Sequence, residues 1–193
     1  MEADWSVEIG ASLPSIDLPW DGFVDPRRTP SALHSIVETA GHPALREAIL
    51  RLNSQPSPVF TIKCDLWKLT AAEIDPDEFG ALHDDAHEGF ASYIDILQLN
   101  PERFSSFEFH ERWVRELTDH LKSIMLFNAR IDFVVRAANN ESRPGYGVTL
   151  YAAGCGSGAS EAYASWEAVL TAAVTATISV DSPPGSRASS SIG

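Results

Sequence analysis

The chain has 193 residues, a formal net charge of −13 and only two cysteines. An acidic surface of that kind argues against duplex nucleic acid or anionic membrane as the main partner, because both reward clustered Lys and Arg. Two cysteines cannot form a disulfide framework, and no segment is apolar and charge-free for long enough to span a bilayer.

Residues 1–28 are rich in turn formers but hold Trp5, Trp20 and Phe23, and read as an arm lying over the domain. The start MEADWSVEIG shows no basic leader followed by an apolar run, so a secretory signal is not indicated and a reducing cytoplasm is expected. Residues 29–180 read as a single α+β domain. Thr29 before Pro30 fits a helix start, and Leu33, Ile36, Val37 and Ala40 recur at helical spacing. Gly41 to Pro43 breaks that helix, and Leu45, Ala48, Ile49 and Leu52 mark a second one, giving an N-terminal helix pair.

Four segments then alternate with period two: residues 58–67, 90–99, 130–137 and 146–153. One row holds Phe60, Ile62, Cys64, Leu66, Ile94, Ile96, Ile131, Phe133, Val135, Val148, Leu150 and Ala152. The other holds Lys63, Asp65, Tyr93, Asp95, Asp132, Arg136, Thr149 and Tyr151. Between the second and third segments, Ser105 and Glu108 have capping-box spacing before the stripe Phe107, Val114, Leu117, Leu121, Ile124. A last helix follows from about Ser157, with Tyr163, Trp166, Leu170, Ala173 and Val174 facing inward, although Thr175 to Val180 is β-branched enough to be extended. Residues 181–193, DSPPGSRASSSIG, have the composition of a disordered tail.

The expected order is ααββαββα. One-sided alternation marks a sheet covered on one face, so the expected architecture is a two-layer sandwich: a mainly antiparallel four-stranded sheet with two long helices on one side. This layout resembles, at the level of the fold alone, those of trimeric enamine deaminases and some chorismate mutases, a likeness that carries no residue over.

Three places could hold chemistry. The polar row offers Lys63 and Arg136 as cations, Asp65, Asp95 and Asp132 as carboxylates and Tyr93 and Tyr151 as phenols, a mixture suited to a polar ligand or a protein interface. Were Asp65 and Asp95 adjacent, one carboxyl would have a raised pKa unless Lys63 or Arg136 lay between them. Residues 73–88 carry seven acids, two histidines and no base. There His83 and His87 would share a face of a helix and could bind a divalent metal with a third ligand from elsewhere, although the Glu that follows the first histidine in the metalloprotease pattern is absent. The plainer role for that stretch is a solvated acidic connection between strands. Finally, Cys155 lies among Gly154, Gly156 and Gly158 at a strand-to-helix turn, where a helix N-terminus would favour a thiolate nucleophile.

The leading expectation is therefore a non-catalytic cytoplasmic domain binding a small polar ligand, another protein or a second copy of itself through the polar sheet face. The alternative is a small enzyme using Cys155 or a metal at His83 and His87. No particular cofactor follows from the sequence.

Overall fold

The computed structural model describes residues 1–179; the expected tail at 181–193 lies outside them. Chain order is β1 (Glu2–Glu8), β2 (Ile16–Leu18), α1 (Pro43–Asn53), β3 (Val59–Thr70), α2 (Pro76–Phe79), β4 (Glu88–Gln98), α3 (Pro101–Phe104), α4 (Phe107–Lys122), β5 (Ala129–Asn140), β6 (Arg143–Gly156) and α5 (Ala159–Ser179). Among these helices none is long and apolar enough to cross a membrane.

The general α+β class is as expected, but the sheet has six strands rather than four. Its order is β1-β5-β6-β4-β3, with β2 also on β5. The four alternating segments form its antiparallel body, and α4 carries the chain from β4 to β5 across β6, which lies between them. Both added strands come from the presumed arm. β1 runs parallel to β5 from Glu2 opposite Arg130 to Glu8 opposite Arg136, and β2 continues along the same edge with Ile16 opposite Ala138. Residues 1–28 therefore complete one sheet edge instead of simply resting on the domain.

The expected N-terminal helix pair is half present. Pro30–Ser35 and Val37–Thr39 form two short 3₁₀ turns, because Ile36 and Ala40 adopt extended backbone and Thr29 makes no side-chain cap. Only the second, α1, is an α-helix. The start of α4 also shifts by one residue: Ser106, not Ser105, accepts the Phe109 amide at 3.2 Å. The Ser105 hydroxyl is turned back onto the carbonyls of Pro101 and Glu102. At the other end α5 stays helical through Ser179, so Thr175 to Ser179 is not extended, while Val180 lies outside the described residues.

α1, α4 and α5 cover one sheet face, over a core containing Ile94, Ile96, Ile131, Phe133, Val135, Val148, Leu150 and the fully buried Trp166. The Trp166 indole donates to Ser92 Oγ at 2.9 Å, so its polar atom is satisfied inside the core. A β-bulge between Thr61 and Lys63 changes the expected rows. One inserted residue moves what precedes it to the opposite face. Phe60 and Ile62 thus leave the helix side and join Ile16, Leu97, Phe104 and Ala138 in a second apolar cluster, against which Leu18 and Phe23 pack.

Candidate functional site

The second cluster fastens the N-terminal segment across one end of the polar face. Gly147 makes this close approach possible: a Cβ there would lie 2.5 Å from Leu97 Cδ2 and 2.9 Å from Ile16 Cδ1. Trp20 crosses to β3 and donates its indole N–H to the Ile62 carbonyl at 3.3 Å. Beyond the covered end the segment and the sheet enclose a cleft of about 390 Å³. From the segment it is lined by Pro14, Ser15, Ile16, Asp17 and Trp20, and from the sheet by Ile62, Lys63, Tyr93, Asp95, Arg136, Thr149 and Tyr151.

The strand register explains why these side chains converge. Lys63, Asp95 and Thr149 are successive cross-strand partners on β3, β4 and β6, and Tyr93 and Tyr151 are partners one step along the same strands. Thr149 links two charges: its hydroxyl donates to Asp95 Oδ1 at 2.6 Å and accepts from Arg136 Nε at 3.0 Å. Arg136 also donates from Nη2 to the Tyr151 hydroxyl at 3.3 Å and pairs through Nη1 with Glu8 Oε2 at 2.7 Å. A guanidinium whose side chain is only 9% exposed is tolerable because those partners surround it. The Tyr93 and Tyr151 rings are tilted together at 6.1 Å, and Trp67 continues the row at 6.4 Å from Tyr93.

Burial raises the pKa of Asp95, opposed by the Thr149 hydrogen bond and by the charges of Arg136 and Lys63. The expected cause, a neighbouring Asp65, is not involved. Burial, reinforced by Asp95 and Asp65, pushes the Tyr93 phenol up to about 12, so it stays a neutral hydrogen-bonding group. On the opposite wall Asp17 is held below the usual carboxylate range by hydrogen bonds from Asn139 and Ser15. Lys63 is exposed, and among the described residues its ammonium makes neither a hydrogen bond nor an ion pair.

Of the expected polar-face residues, Lys63, Tyr93, Asp95, Arg136 and Tyr151 meet in the cleft, whereas Asp65 and Asp132 do not line it. Asp65 stands on the edge strand β3, where its carboxylate accepts the amide of the next residue, Leu66, at 2.7 Å. Asp4 on β1 does the same for Trp5 at 2.8 Å. A carboxylate occupying an edge amide discourages strand addition. Asp132 pairs with Arg130 at 2.6 Å, and Arg130 also reaches Glu78. Thr149 belongs to the polar row by strand parity alone, while Trp20, Asp17 and Glu8 come from the arm, whose position no local pattern supplies.

The other two candidates have different surroundings from those expected. His83 begins a single 3₁₀ turn, His83–Asp85, and His87 follows outside it with its amide bonded to the Gly156 carbonyl, so the two do not share a helix face. Three of the seven acids in this stretch are occupied locally: Glu73 accepts from Thr70, Asp75 caps α2 through the Asp77 amide, and Glu78 pairs with Arg130. Among the described residues no group of three or more His, Cys, Asp or Glu gathers as a metal site.

Cys155 does not stand at a helix start, because β6 runs on through Gly156. The thiol is fully buried in a third cluster with Ile74, Phe79 and Ala86, and burial pushes its pKa up to about 11. A low-pKa nucleophile needs the opposite environment. Gly154 has a packing reason instead, since a Cβ there would lie 2.1 Å from the Trp166 amide nitrogen.

A larger groove of about 570 Å³ runs between α1 and α5, lined among others by Leu33, Ala44, Arg46, Arg51 and Glu167. It has long surface side chains but nothing like the buried Arg136–Thr149–Asp95 chain. No family model, curated protein or solved structure matches this chain, and its functional reading therefore comes from the geometry of the site itself.

Proposed function

We propose that this chain is a binding domain whose site is the cleft between the N-terminal segment and the polar sheet face, and that its ligand is a small polar molecule. The observation that carries this reading is the chain of groups from Glu8 through Arg136 and Thr149 to Asp95, preorganised on four strands and ending beside Lys63, which forms no ion pair among the described residues. Groups held in place by their neighbours lose little freedom on binding, so their interactions with a ligand are retained as affinity. The volume lies within the roughly 300–1,000 Å³ common for small-molecule sites. Aromatic walls with a few convergent polar groups are likewise the composition such sites share.

A concave, partly roofed site favours a small ligand over a protein partner, which needs about 800 Å² of surface on each side. The enzyme reading receives no support from Cys155, a buried thiol with a raised pKa, or from the separated histidines.

Screening a library of small polar compounds by melting shift tests the proposal on wild type and on the double variant Lys63→Met, Thr149→Val. The expected result is a set of compounds that stabilise the wild type and lose their effect in the variant. Stabilising compounds indifferent to the substitutions, or a library with none, would count against the cleft as the site.

A further inference from the structure

Most ionised groups around the cleft are already engaged within the protein. Asp17 is held by Asn139 and Ser15, and Arg136 by Glu8, Thr149 and Tyr151. Two opposite charges remain available: Lys63, whose ammonium makes no hydrogen bond or ion pair among the described residues, and Asp95, for which only Oδ1 is engaged, by Thr149. They are direct cross-strand partners on β3 and β4, yet they form no ion pair. Directly opposed residues have Cβ atoms about 4.5–5.5 Å apart, and their flexible ends can meet two charged groups on a single small molecule.

Aromatic groups flank this pair. Tyr93 and Tyr151 lie one step along the strands, and Trp20 reaches over from the N-terminal segment to the Ile62 carbonyl beside Lys63. A ring placed there gains contact area and edge-to-face attraction, and a cation beside the tyrosines gains further attraction from their π faces. A ligand with only a negative charge would satisfy Lys63 but face the carboxylate of Asp95. One with only a positive charge would satisfy Asp95 but face Lys63. A zwitterion matches both.

Resting on the ligand-binding reading of this cleft, we infer that it takes a free α-amino acid with an aromatic side chain, its carboxylate on Lys63, its ammonium on Asp95 and its ring within the aromatic lining. No bond is made or broken in this event; it is recognition by two charge-assisted contacts and stacking.

Calorimetric titration of the full chain with three probes tests the assignment: L-phenylalanine, phenethylamine, which keeps only the ammonium, and 3-phenylpropionate, which keeps only the carboxylate. L-Phenylalanine is expected to bind at least about ten-fold more tightly than either analogue. Lys63→Met should erase its advantage over phenethylamine, and Asp95→Asn its advantage over 3-phenylpropionate. Both substitutions nearly preserve side-chain volume, and melting curves check that the variants are folded. Equal binding of all three probes, or a preference that survives both substitutions, overturns the zwitterion assignment, and the cleft itself is then judged by the library screen on wild type and the Lys63→Met, Thr149→Val variant. If none of the probes binds but library compounds sensitive to Lys63→Met, Thr149→Val are found, the assignment alone fails. If neither is found, the binding reading fails with it.

Discussion

The two faces of the sheet solve different problems with the same strands. On the helix side, Ile94, Phe133, Leu150 and Trp166 are shut away from water, and the few polar groups are internal to the packing. On the other side the N-terminal segment seals only one end, through Ile16, Phe60, Ile62 and Leu97, leaving charged and phenolic side chains around an open cleft. Stability and recognition are thus assigned to opposite faces, and substitutions on the two faces should be separable.

The largest separation is expected at Trp166, whose truncation to alanine removes a fully buried indole and its bond to Ser92. Such a change costs about 3–5 kcal/mol of stability in urea titrations. Affinity per folded molecule should stay as in wild type. Gly147→Val should break that separation from the other side. Its side chain would collide with Leu97 and Ile16, costing about 1–3 kcal/mol and lifting the segment that roofs the cleft. Here loss of stability and loss of ligand binding should come together.

Acidification should move the faces in opposite directions. On the helix side His110 is fully buried, with Nδ1 2.9 Å from the Ser106 carbonyl and Nε2 without a partner among the described residues. Burial lowers its pKa against the opposing effect of the Ser106 bond. Its contribution is present above the unfolded histidine value of about 6.5 and is lost as pH falls toward the lower folded value. On the cleft side the folded pKa of Asp95 is raised, so its contribution runs the other way: greatest at low pH and lost as pH rises through the folded value. Asp95→Asn should therefore be no less stable than wild type at pH 7, and any advantage should shrink as pH falls toward about 4. His110→Gln should flatten the acid limb below about pH 6.5, where the unfolded chain takes up a proton that buried His110 does not. Stability measured against pH for the two variants checks both signs.

The smallest effect is expected at Asp65, on the polar row but outside the cleft. Asp65→Ala should change stability by no more than about 0.5 kcal/mol and leave binding unaltered. A large loss of affinity there would mean that the site extends along β3.

Sequence made the sheet body and the long helices legible because their apolar periods are local. What it missed was set by distant partners or by single-residue shifts. Ala3 and Trp5 alternate with Asp4 and Ser6, but reading β1 as a strand requires β5, more than 120 residues away. Phe60 and Ile62 obey the expected alternation, and the bulge before Lys63 turns them to the other face. Two adjacent serines precede α4, and backbone geometry alone decides that Ser106 is the cap. Five of the seven polar-face residues offered for a ligand do meet in the cleft, because strand parity places them on one surface. The roof over them depends on how the N-terminal segment docks, and its seat at Gly147 is visible only once the strands are paired.

The most direct test of the cleft is a chemical-shift map of the uniformly ¹⁵N-labelled chain titrated with the strongest stabilising compound from the polar library. The cleft account predicts shifts concentrated on the Trp20 indole and on the amides of Lys63, Tyr93, Thr149 and Tyr151. Shifts confined instead to Leu33, Arg46, Arg51 and Glu167, in the larger groove between α1 and α5, would contradict it.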